Sequence, residues 1–100
     1  MEFLVQISVT MPADMPAAKR EEIVAAERVR GLELVASGAI RSIWRVPGGW
    51  KNVGIWEAAD ATELHELLSS LPAYPWISTD VTALAIHPLS RASDSDKDDR

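Results

Sequence analysis

The stretch from Pro16 to Ser37 is rich in Ala, Glu, Arg, Val and Leu, and it carries one carboxylate where an apolar side chain belongs. Projected as a helix at about 100° per residue, Ile23, Val24, Gly31, Leu34 and Val35 fall within one arc of roughly 120°. Glu27 falls inside that arc, and Arg20 enters it near the helix start, whereas Glu21, Glu22 and Glu33 point elsewhere as an ordinary solvated face. A carboxylate held among apolar groups either has a fixed cation beside it or keeps its proton to unusually high pH. A Glu tuned in that way is a general base. The competing reading is a Glu27 that bends to a crevice edge or pairs with Arg30 on the flank of the arc.

Further along, Arg41 and Arg45 are four positions apart in Ala39-Ile40-Arg41-Ser42-Ile43-Trp44-Arg45, which places both on one face of a regular strand. Two guanidinium forks on a sheet face suit a carboxylate ligand, with Trp44 as apolar wall; the alternative is an edge strand whose arginines pair with helix carboxylates. Asn52 reads as a polar group in a pocket or as a hairpin residue. His65 flanks the Leu64, Leu68 and Leu71 stripe as a boundary histidine, and His87 before Pro88 reads as a chain-end packing residue. Tyr74 and Trp76, set around Pro75, make a rigid aromatic loop that lids a small pocket or fills a subunit contact.

The elements that must hold these residues follow from pattern. Phe3 to Thr10 alternates as a strand, and Met11 to Pro16 breaks it with two prolines and offers Asp14 as a helix cap. The long helix then runs to about Ser37, with Gly38 at its C-terminus. Ala39 to Val46, the turn Pro47-Gly48-Gly49 and Trp50 to Glu57 form a hairpin. In that strand Ile40, Trp44 and Val46 are set against Ile43 on the opposite side. Asp60-Ala61-Thr62-Glu63 has capping-box spacing and opens a second helix that ends before Pro72. Ser78 to Ile86 alternates as a fourth strand, and residues 90–100 form a polar tail behind a single domain of residues 1–89. The order β-α-β-β-α-β predicts an α+β, ferredoxin-like antiparallel sheet with both helices on one face. Its other face carries apolar residues too, which predicts that another subunit covers it.

Composition narrows the function classes. In 100 residues there is no Cys, so disulfides, thiolate nucleophiles and Cys-based metal sites are excluded, and a reducing cytoplasm fits. The two His residues have no metal-ligand spacing. Ten Lys and Arg against fifteen Asp and Glu give a net charge of −5, the wrong sign for phosphate backbones or anionic lipid, so neither nucleic acid nor a membrane is expected as partner. No apolar run reaches the roughly 20 residues of a membrane span, and no basic region precedes the apolar start. Gly-rich phosphate loops, nucleophile elbows and paired-carboxylate motifs are missing. Proton transfer or small-ligand binding remains.

Several pieces, in order and spacing, resemble the muconolactone Δ-isomerases of aromatic catabolism: the Glu27 helix, Ser42-Ile43-Trp44-Arg45, the segment from Gly49 to Asn52, Glu63-Leu64-His65, Leu71-Pro72 with Tyr74-Pro75, and His87-Pro88. The similarity runs from residue 1 to about 90 and continues into a Ser/Asp-rich tail ending Asp98-Asp99-Arg100. It implies a dimer unit assembled into a larger homo-oligomer, usually a decamer, and no cofactor. The implied reaction converts muconolactone to 3-oxoadipate enol-lactone in the catechol branch of the β-ketoadipate pathway. On that reading Glu27 is the catalytic base, and Arg41, Trp44, Arg45, Trp50, Asn52, His65 and Tyr74 surround a lactone substrate without a metal. Trp44 and Trp50 then wall the pocket and Trp76 lies at a subunit contact. The chain departs from the family pattern at Gly48 to Asn52, Leu71 to Trp76 and His87 to Ser90, which leaves substituted muconolactones open as substrates. The alternatives are 5-chloromuconolactone dehalogenation, a non-catalytic dimer binding a small acid, and a cofactor-free oxygenase.

Overall fold

A computed structural model describes residues 1–90; the polar tail expected beyond Ser90 lies outside them. The strands are β1 (Glu2–Val9), β2 (Ile40–Val46), β3 (Lys51–Glu57) and β4 (Ile77–Leu84), with helices α1 (Ala17–Ser37) and α2 (Ala61–Ser69) and a short 3-10 turn at Tyr74–Trp76. The sheet is antiparallel in the order β2-β3-β1-β4, the ferredoxin-like arrangement. Alternation in β1 sends Phe3, Val5 and Ile7 to one face, where they pack with Leu34 of α1 and with Leu64 and Leu68 of α2. Both helices therefore lie on that face. Burying each of these side chains contributes about 1.5–3 kcal/mol.

The helix ends show which local signals hold. Gly38 adopts the left-handed conformation (φ 85°) and its N–H donates to the Val35 carbonyl at 3.1 Å, closing α1. Asp60 caps α2 by accepting from the Glu63 N–H at 2.8 Å, and the Glu63 carboxylate reaches back to the Ala59 N–H at 3.1 Å. Asp14 does not cap α1. The segment from Pro12 to Met15 closes a turn of its own, the Met15 N–H donating to the Pro12 carbonyl at 3.1 Å, and Pro16 enters the helix without a side-chain cap.

One irregularity decides the faces of β2. Ile40 pairs with Trp56 but Ser42 pairs with Ile55, so Arg41 is an extra residue in a β-bulge. From there Ile43 pairs with Gly54 and Arg45 with Asn52 on the helix side, while Trp44 pairs with Val53 on the open side. Two expectations fall with the bulge: Arg41 and Arg45 do not share a face, and Ile40 lies with Ile43 instead of opposite it. Gly54 is where β2 comes closest, since a Cβ there would stand 2.6 Å from the Ser42 carbonyl oxygen.

Candidate active site

Between α1 and the helix-facing side of the sheet lies a cavity of about 410 Å³. Its α1 wall carries Ile23, Val24, Glu27, Arg28 and Gly31, and its sheet wall carries Ile7, Ile40, Ile43, Arg45, Asn52 and Trp56. Val9 and Met11 at the end of β1, Trp50 from the hairpin turn, and Leu71 and Ala73 from the segment between α2 and β4 complete the lining. Register explains the sheet wall: Asn52, Gly54 and Trp56 alternate onto one face, opposite Ile7, Val5 and Phe3 of β1. On the helix, Gly31 stands one turn beyond Glu27, and a Cβ added there would meet nothing within 4 Å. The missing side chain keeps the space beside Glu27 open.

Glu27 is half-buried, and its Oε2 accepts the Ala73 N–H at 2.7 Å. Neighbouring turn bonds leave that N–H free for it, because the Tyr74 N–H donates to the Leu71 carbonyl and the Trp76 N–H to the Ala73 carbonyl. Among the described residues no ion pair includes Glu27; Arg30 instead bonds Ser70 at 3.0 Å and Glu33 at 3.3 Å. Desolvation by burial pushes the Glu27 carboxyl above the ordinary carboxylate range, and the Ala73 hydrogen bond, which favours the ionised form, opposes it only in part. The cavity thus holds one proton-accepting group with a raised pKa, two guanidiniums and the Asn52 amide in an otherwise apolar lining. Such a set can take a proton from a bound acid and stabilise negative charge that develops on an oxygen.

The family model described as muconolactone delta-isomerase matches residues 1–90. The chain belongs to the muconolactone Δ-isomerase family. The muconolactone Delta-isomerase of Cupriavidus pinatubonensis is 40% identical over 90 residues, 90% of this chain and 98% of its own. That of Acinetobacter baylyi is 36% identical over 94 residues, 94% of this chain and 98% of its own. A crystal structure of a muconolactone isomerase superposes with a TM-score of 0.82 at 32% identity, covering 88% of this chain and 92% of that one. A 5-chloro-2-hydroxyhydroquinone dehydrochlorinase from Burkholderia phenoliruptrix shares the fold at 19% identity, with a TM-score of 0.65 over 87% of this chain and 96% of its own.

Within this member of the muconolactone Δ-isomerase family, the structure brings together Glu27, Arg45, Trp50 and Asn52 of the residues expected at the site. Four others stand apart. Arg41, the bulge residue, extends toward Glu57 with 4.0 Å between their charged atoms. Trp44 is on the open face of the sheet and 57% exposed, so Trp50 and Trp56 are the indoles that wall this cavity. His65 is exposed on α2 and meets Tyr74 edge-on, ring centres 6.4 Å apart, outside the lining. Tyr74, the fourth, is exposed and likewise outside the lining; His87, expected as a chain-end packing residue, is exposed as well, its Nδ1 accepting the Leu89 N–H at 3.0 Å.

Three contributors escaped the residue-by-residue reading. Arg28 projects only about 20° beyond Val35 at the edge of the helix arc, a signal present in the helix projection. Trp56, 1% exposed, shares the period-2 face of Asn52, a signal visible in the strand pattern. The Ala73 N–H is a backbone donor, and side-chain types carry no sign of it.

Proposed function

We propose that this chain isomerises muconolactone to 3-oxoadipate enol-lactone, with Glu27 as the single base. The supporting observation is a half-buried carboxylate of raised pKa, anchored through one oxygen by the Ala73 N–H, in a cavity that also carries two arginines. The Glu27 carboxylate removes the proton from the ring carbon that bears the carboxymethyl arm. The C–H electron pair delocalises through the ring double bond onto the lactone carbonyl oxygen, giving a dienolate. The protonated Glu27 then returns the proton to the carbon next to the carbonyl, the double bond moves by one position, and the carboxylate is regenerated. No electrons enter or leave. Asn52 and Arg45, paired across β2 and β3 on the sheet wall, supply hydrogen-bond donors for the dienolate oxygen. Trp50, Trp56 and the aliphatic lining give the lactone ring an apolar bed.

The open face of the sheet completes the reading. Trp44 and Leu84 are exposed there, and Leu4, Val53 and Ile55 are partly covered. This supports a dimer formed through that face; a decamer built from such dimers, acting in the cytoplasm, belongs to the same proposal. The test of the reaction is Glu27→Gln, which keeps shape and removes the base. We expect kcat/KM for muconolactone to fall by about 10²–10⁴-fold, the usual worth of a positioned base. Activity within a few-fold of the parent would overturn the assignment.

A further inference from the structure

Of the arginines among the described residues, four are held by the chain itself. Arg20 bonds the Pro12 carbonyl, Arg30 bonds Ser70 and Glu33, Arg41 faces Glu57, and Arg45 reaches the Lys51 carbonyl at 3.5 Å. Arg28 has no hydrogen bond or ion pair among the described residues, and it is the arginine that α1 contributes to the cavity wall directly after Glu27. We propose that Arg28 is the residue that binds the free carboxylate of the substrate, leaving Arg45 and Asn52 to the lactone carbonyl.

This inference rests on the isomerase reading and adds to it the division of labour between the two cations. The reaction has two anionic places, the carboxymethyl group throughout and the lactone oxygen as the proton leaves. The carboxymethyl arm springs from the very carbon that loses its proton, so with that carbon facing the Glu27 carboxyl the arm's carboxylate, two bonds away from it, is within reach of the α1 wall. Arg28 is the cation of that wall. The carbonyl lies across the ring oxygen, on the side left for Arg45 and Asn52, which are fixed on paired strands. An unpaired guanidinium on a flexible stem suits a ground-state anchor, since it gives up no internal contact on binding and its planar fork matches a carboxylate. A donor for the dienolate must be preorganised, and the strand-held Arg45 with its carbonyl contact is the better placed.

The experiment compares Arg28→Gln, Arg28→Lys and Arg45→Gln with the parent, on muconolactone and, as competing inhibitor, on its methyl ester, which keeps the ring and lacks the negative charge. We expect Arg28→Gln to raise KM for the acid about tenfold or more, with kcat within roughly threefold and the ester's Ki unchanged. Arg28→Lys should recover part of the KM loss, because charge returns without the fork. Arg45→Gln should act chiefly on kcat. An unchanged KM in Arg28→Gln, an equal loss of acid and ester binding, or an acid-selective loss in Arg45→Gln instead would overturn the proposal. Failure of the parent protein to isomerise the acid at all would sink the isomerase reading, an outcome separate from these.

Discussion

The two faces of the sheet are made by the same four strands and have different surroundings. On the helix side Phe3, Val5, Ile7 and Trp56 are sealed into a core, and the space that core leaves beside α1 becomes the cavity of Glu27, Arg28, Arg45 and Asn52. On the other side Trp44 stands exposed, with neither α1 nor α2 above it. What separates them along β2 is a single inserted residue, Arg41, after which Ile43 and Arg45 face the helices and Trp44 faces out. The cavity on one face and the exposed Trp44 on the other are therefore a consequence of strand register, and a change in register alters both.

The comparison breaks most severely where the strands touch. Gly54→Ala places a methyl group against the Ser42 carbonyl, a backbone atom that cannot swing away, and we expect a loss of about 2–4 kcal/mol, read as a lower denaturation midpoint. On the helix face alone, Arg45→Gln should lower kcat about 10–100-fold while leaving sedimentation unchanged, which steady-state rates and ultracentrifugation check together. Trp44→Asp is its mirror on the open face. There we expect a smaller particle in ultracentrifugation at unchanged far-UV circular dichroism, since the charge lands on an exposed position that contributes nothing to the core. The smallest effect expected is from Gly31→Ala, which meets no atom and should add up to about 1 kcal/mol of helix stability while raising KM severalfold by narrowing the space beside Glu27.

Much of this was legible in the residues. Alternation in Phe3 to Val9 fixed the buried face of β1, Gly38 marked the end of α1, and Asp60 with Glu63 marked the start of α2, each because a local rule acts within a few residues. Glu27 was legible for the opposite reason: it breaks the pattern of its own helix. The bulge at Arg41 was not, because a residue inserted in one strand shows only against the partner strand. With it went the assignments of Arg41 and Trp44 to the pocket. Asn52 looked undecidable until its pairing with Arg45 and Ile7 set its face. The Ala73 N–H is a matter of tertiary approach between residues 46 positions apart.

The central claim is that the helix face holds Glu27 as a desolvated base, and its direct test is the titration of the Glu27 carboxyl carbon by NMR, assigned by loss of the signal in Glu27→Gln. Burial favours the neutral form, so the folded protein keeps this proton to higher pH than the unfolded chain does. Stability from this group is then greatest below the unfolded pKa and declines as pH rises through the folded value, a decline that Glu27→Gln should remove from the pH dependence of Tm. We predict a titration midpoint above the ordinary glutamate range, matching the acid limb of kcat/KM. A midpoint at or below that range would contradict the account.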